Sequence, residues 1–119
     1  MMSQDDTKEY LPLTEATYYI MVTLSEPLHG YAVMQEVEKI SEGTVKVGPG
    51  TLYGVFTNLE KEGLIVKVKE EERRKSYTLT PKGRAVLLSQ VERLEIMSRN
   101  GLAVSARLLS DRHNVVGGA

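Results

Sequence analysis

The stretch from Gly48 to Thr80, GPGTLYGVFTNLEKEGLIVKVKEEERRKSYTLT, changes its hydrophobic period at one glycine, and this constrains the fold more than any other feature of the chain. Before Gly63, the residues Leu52, Val55, Phe56 and Leu59 recur at helical spacing and build one apolar stripe. Pro49 suits the first helical position, because its φ is already helical and the amide hydrogen it lacks would have been unpaired there. Gly63 suits the position just past the end, where φ is commonly positive. Beyond it, Leu64, Val66 and Val68 alternate with Ile65, Lys67 and Lys69, and Tyr77 and Leu79 alternate with Ser76, Thr78 and Thr80, on either side of a charged tip. Period two on both sides of a tip predicts a hairpin. With the helical stripe turned to a core, the opposite face carries Thr51, Tyr53, Gly54, Thr57, Asn58 and Lys61. These residues form hydrogen bonds or are small enough for a backbone to come close, and none is acidic.

With 119 residues the chain is expected to be one domain with its own core, too short for a typical two-domain enzyme. It contains no cysteine, which excludes disulfides, thiolate metal sites and cysteine nucleophiles. The acidic N-terminus lacks an apolar run, and no window approaches the roughly 18 apolar residues of a membrane span, so a cytoplasmic protein with no membrane contact is expected. The net charge of −1 conceals a division along the chain. Residues 1–42 hold two basic residues against eight acidic ones, a net of −6, whereas residues 67–84 hold seven against three, a net of +4. Local charge governs phosphate attraction over a screening length of about 8 to 10 Å. The basic end is the hairpin.

The remainder of the chain supplies supports for this stretch. Residues 1–12 read as a flexible or loosely docked arm. Thr14 is placed as an N-cap, with Leu13 and Tyr18 as a hydrophobic staple, for a helix that Pro27 stops. After the turn PLHG, Val33, Met34, Val37 and Ile40 give a second helix its buried stripe up to Gly43, and TVKV reads as a short strand. Thr80 and Pro81 open a last helix, as cap and first helical residue. Its residues Leu87, Val91, Leu94, Met97, Val104 and Leu108 make a stripe too long for a small domain to cover, and the expected cover is the same helix of a second copy. Asn100-Gly101 lies within the stripe as a candidate kink or break. The order of elements is that of a winged helix-turn-helix, a mainly α (α+β) fold with a two-stranded wing and a long C-terminal dimerisation helix. The expected boundaries are 13–80 for the DNA-binding domain, 81–110 for the helix and 111–119 for a disordered tail.

Four short motifs then match one family in order and spacing. They are Leu28-His29-Gly30-Tyr31, Gly50-Thr51-Leu52-Tyr53, Asn58 through Ile65, and Arg73-Arg74-Lys75 followed by Tyr77, Leu79-Thr80 and Gly83. Over roughly residues 10–110 the chain resembles the PadR-like transcriptional regulators, in particular the short subgroup with a single C-terminal helix. The resemblance implies a homodimeric winged-helix repressor whose C-terminal helices pair, with small apolar or aromatic effectors bound between protomers. Members that answer to many drugs carry a tryptophan in the last helix that stacks on the drug. The matching position here is Leu94 and the chain has no tryptophan, so an apolar pocket is expected rather than a stacking one.

On this reading Thr51, Tyr53, Thr57, Asn58 and Lys61 face the major groove of double-stranded DNA, where Asn can read adenine and Lys guanine or a phosphate. Lys69, Arg73, Arg74 and Lys75 bring the wing to phosphate or the minor groove. Tyr31, with the backbone amides that open its helix, grips a phosphate. Leu87, Val91, Leu94 and Met97 form the dimer interface and wall a ligand pocket. Structural alternatives stand beside each assignment. The helix face is an ordinary solvated face, Tyr53 is half-packed on the hairpin, Tyr31 belongs to the core, and the basic run is a charged tip whose Glu70, Glu71 and Glu72 would repel DNA unless paired across the strands. An enzyme is not expected. His29 and His113 are far apart, giving no metal or triad spacing, and Gly48, Gly50 and Gly54 are spaced G-x-G-x-x-x-G without the parallel sheet that a nucleotide site needs. No cofactor is implied. The alternative function is a winged helix used only to bind another protein, for which exposed large apolar residues on the third helix would be expected.

Overall fold

Capping residues divide the chain where the sequence leads one to expect it. In the computed structural model, which describes the backbone of residues 4–71 and 74–118 and the side chains of 7–68, 70 and 74–111, Thr14 Oγ1 accepts from Thr17 N at 3.1 Å and starts α1 (Glu15–Thr23). A two-residue strand β1 (Leu28–His29) leads into α2 (Gly30–Ile40), and Gly48 precedes α3 (Pro49–Lys61), with Pro49 in its first turn. The hairpin strands β2 (Ile65–Glu71) and β3 (Arg74–Leu79) follow, and α4 (Pro81–Gly118) ends the fold. Thr80 caps α4 through Gly83 N, at 3.0 Å.

The core lies between α1, α2, α3, the base of the hairpin and the first turns of α4. Ile20, Met21, Leu24, Val33, Val37, Leu52, Phe56, Leu59, Leu64, Ile65, Leu79 and Val86 are buried in it. The Leu24 carbonyl accepts both Leu79 N and Thr78 Oγ1 at 3.0 Å, which fastens β3 to the end of α1.

Several expectations are corrected. Residues 44–47 form no strand, because Ser41 and Thr44 draw that backbone into a turn: Thr44 Oγ1 donates to Ser41 O, and Ser41 Oγ accepts from Val45 N. The third strand is β1, within the expected turn, and it makes the sheet three-stranded in the antiparallel order β1-β3-β2, with Leu28 opposite Tyr77 and His29 opposite Ser76. In β2 the inward residue is Ile65, beside buried Leu64, and Val66 and Val68 are exposed. The reason is that Leu64 still belongs to the helix-ending turn and period two starts one residue later. Ile40, at the end of its helix, is partly exposed.

The N-terminal arm is docked along the segment Gln4–Tyr10, which forms a 3-10 helix against α4. Thr7 is buried with its hydroxyl 2.9 Å from that of Ser89, and buried Gln90 accepts Leu13 N at 2.8 Å. The backbone of α4 runs unbroken through Asn100-Gly101 and through the expected tail to Gly118. One interior glycine costs about 1 kcal/mol of helix propensity, too little to stop a run rich in Leu, Ala and Arg. A helix of 38 residues is about 57 Å long. It stretches the molecule to 64 × 32 × 19 Å and the radius of gyration to 18.2 Å, against about 13 to 14 Å for a compact chain of this length.

Candidate nucleic-acid interface

Three elements meet in an open groove of about 360 Å³: the start of α2 with His29, Gly30 and Tyr31, the side of α3 with Tyr53 and Phe56, and β3 with Arg74, Lys75 and Tyr77. Packing of aromatic rings holds its shape. Phe56 lies 4.8 Å from the Tyr77 ring and meets Tyr53 edge-on at 6.1 Å, so a buried phenylalanine joins the core to two half-exposed tyrosines. The Tyr53 ring reaches back over α2, where a Cβ on Gly30 would stand 2.8 Å from its hydroxyl oxygen. A side chain at position 30 would have to displace the end of the Tyr53 ring. His29 caps α2 by accepting Ala32 N at 3.4 Å, and Gly30 and Tyr31 of the same first turn line the groove. Burial, followed by the charge of Glu60, pushes the Tyr77 hydroxyl above its ordinary pKa and keeps it a neutral donor.

The expected contact residues fall into groups. Tyr31 and Tyr53 are 64% and 55% exposed, which removes the core alternative for Tyr31, whereas Tyr53 is half-packed, with its ring end over Gly30 and its ring edge-on to Phe56. Tyr31, Tyr53, Arg74 and Lys75 share the groove. Thr57 and Lys61 continue the Tyr53 row along α3, each about 40° further round the helix at 3.6 residues per turn. The Thr57 hydroxyl proton is committed to Tyr53 O at 2.8 Å, so Thr57 offers the outside an acceptor and a methyl group. Thr51 and Asn58 are not brought to the groove. They lie on the far edge of the exposed face, with Asn58 beside Glu9, Tyr10 and Thr14 in a second hollow. Between the two rows are Gly50 and Gly54, with nothing within 4 Å of either missing side chain, so the middle of the face is bare helix backbone.

On the wing, Glu70 stands opposite Lys75 and Glu71 opposite Arg74, and Lys67 reaches Glu70 at 3.6 Å. Two acids of the run are thus in backbone register with two of the basic residues. The Lys69 side chain, Arg73 and Glu72 lie outside the described residues. On α4, Leu87 packs partly on the core of its own chain, Val91 and Leu94 are half-buried, and Met97 is 64% exposed, as are Leu102, Val104, Leu108 and Leu109 to similar or lesser extents. Among the described residues no three His, Asp or Glu side chains cluster as a metal site, and no helix is long and apolar enough to cross a membrane. Phe56 and Tyr77 enter the groove without having been singled out as contact residues; Tyr77 was legible as the inward partner of Leu79 in a period-two strand, though its place beside α3 was not.

The family model that describes the transcriptional regulator PadR-like family matches residues 20–89, from the middle of α1 to the first turns of α4 and across the whole groove. The chain belongs to the PadR-like family of transcriptional regulators. Transcriptional regulator Rv3488 of Mycobacterium tuberculosis is similar over 78 residues at 37% identity, covering 63% of this chain and 70% of that protein. An uncharacterized 37.1 kDa protein in transposon Tn4556 of Streptomyces fradiae is 36% identical over 74 residues, 61% of this chain but only 21% of its own length. Among solved structures, the PadR-like transcription factor from Bacteroides fragilis has a TM-score of 0.63 at 27% identity, over 84% of this chain and 99% of that one.

Proposed function

We propose that this PadR-like chain is a sequence-specific DNA-binding repressor that acts as a homodimer on an inverted repeat. The observation that carries the reading is the exposed face of α3, bare along Gly50 and Gly54 and with a single acid, Glu60, at its edge, which runs directly into a groove walled by a helix N-terminus and the basic strand β3. A major groove about 12 Å wide admits such a helix, and bare glycines let it sit close to the base edges. Tyr53, Thr57 and Lys61 then face bases, Thr51 and Asn58 reach the opposite side of the groove, and Tyr31, Lys69, Arg73, Arg74 and Lys75 take phosphates. Contacts of the second kind fix register without reading sequence. The exposed stripe of α4 pairs with that of a second copy, which puts two recognition helices on half-sites about 34 to 36 Å, or a multiple of this, apart. A small apolar effector bound between the paired helices, beside Leu94 and Met97, would release DNA by favouring a dimer in which that spacing is lost.

The use of this surface for a protein partner alone is disfavoured, since the one large apolar side chain exposed on α3 is Tyr53, and it carries a hydroxyl. Selection of bound duplexes from a random DNA pool, followed by titration across a salt series, tests the proposal. An enriched inverted repeat with a steep salt slope is expected. A single half-site without symmetry would refute the dimer, and the absence of enrichment with binding flat in salt would refute DNA recognition.

A further inference from the structure

The end of α3 and the start of α4 are joined carbonyl by carbonyl. The recognition helix closes through Gly63, at φ +74°, with Gly63 N donating to Glu60 O and Leu64 N to Leu59 O. The carbonyls of the three residues that follow α3 then all accept from the other helix or its cap. Lys82 Nζ donates to Glu62 O at 2.9 Å, Thr80 Oγ1 to Gly63 O at 2.6 Å, and Thr80 N to Leu64 O at 3.0 Å. The Thr80 hydroxyl also accepts Gly83 N, so one group both caps α4 and ties it to the end of α3. Gly83 allows the approach, because a Cβ there would collide with the Leu64 carbonyl oxygen. Lys82 is steadied on its other side by the Tyr10 ring, 4.8 Å from its ammonium.

We infer that this joint, Thr80, Lys82 and Gly83 against the carbonyls of Glu62, Gly63 and Leu64, sets the half-site spacing the dimer accepts by making each recognition helix one rigid lever with its dimerisation helix. The inference rests on the dimeric DNA-binding reading above. The base contacts lie on α3 and the pairing surface on α4, and although α4 also meets the arm, α1 and β3, the turn that closes α3, from Glu62 to Leu64, is held from the start of α4 here. One extra base pair between half-sites moves them apart by about 3.4 Å and rotates one relative to the other by about a tenth of a turn. A rigid lever cannot follow that change; a loosened one can. Thr80, Lys82 and Gly83 are thus positioning residues for spacing specificity, and none touches a base.

The test compares the full-length protein with Thr80→Val, Thr80→Ser and Lys82→Met on duplexes carrying two half-sites at spacings altered by one or two base pairs, and on a duplex with one half-site. Thr80→Val removes the hydroxyl and keeps the shape, Thr80→Ser restores the hydroxyl, and Lys82→Met acts outside the core and decides alone if Thr80→Val does not fold. The wild type is expected to prefer one spacing over its neighbours by about tenfold or more, close to 1.4 kcal/mol. Thr80→Val and Lys82→Met should reduce that preference to about threefold or less while single half-site affinity stays within about twofold, and Thr80→Ser should keep the wild-type profile. Weaker binding at every spacing with the preference unchanged would overturn the inference and leave the joint a purely structural contact. A wild-type protein with no spacing preference would instead overturn the dimeric reading, and this inference with it.

Discussion

Gly54 separates what the fold needs from what the interface needs. It sits in the interior of α3, exposed, with nothing within 4 Å of the place where a side chain would be. Alanine there should stabilise the isolated protein by about 0.5 to 1 kcal/mol, since glycine is the poorer helix former. If the bare backbone lies against DNA, the added methyl group should at the same time weaken operator binding, and tighter or unchanged binding in a stabilised Gly54→Ala protein would refute the close approach. Arg74 supports a different kind of prediction. It stands at the wing opposite Glu71, and as a phosphate ligand its replacement by alanine should weaken binding to all sequences and lower the salt slope by about one. A changed base preference with an unchanged slope would reassign it to base readout.

At the scale of elements, the legible features were those whose signal is local. The cap at Thr14, the pair Pro49 and Gly63 around α3, and Thr80 with Pro81 are chain-neighbour effects, and each appears where the residues imply it. The basic wing and the helix face in front of it were likewise readable from residue type and period. What was not legible depends on distant partners: β1 is a strand only because Tyr77 and Ser76 lie beside it, and the arm is ordered by Ser89 and Gln90, far along the sequence. The wing's inward face was misread for a third reason, that the helix-ending turn consumed one residue of the alternation. That correction can be measured. Ile65 is 2% exposed and Val66 43%, so Ile65→Ala should cost about 2 to 5 kcal/mol of unfolding free energy. Val66→Ala should cost about 0.5 kcal/mol or less, and equal losses in denaturant titration would show the register to be wrong.

For the whole molecule, the decisive quantity is the apolar surface that one copy leaves in water. The stripe of α4 that begins with buried Val86 and Gln90 continues along the same side through Leu94, Met97, Val104 and Leu108, and beyond Leu94 it has left the body of the domain. The burial of a leucine or methionine side chain is worth about 1.5 to 3 kcal/mol, so a stripe of this length supplies a strong drive to association. The same geometry makes association separable from folding, because Met97 and Leu108 are 64% and 63% exposed and lie outside the core cluster formed by the described residues. Met97→Glu combined with Leu108→Glu should therefore yield a folded monomer, with thermal unfolding of the winged domain little changed and sedimentation at half the wild-type mass. In the proposed dimer the α4 pairing is also what brings in the second half-site contact, so the monomer should bind an inverted repeat no better than a single half-site. If the double variant still sediments as a dimer, some other face joins the two copies, and the lever between α3 and α4 would have to be redrawn around it.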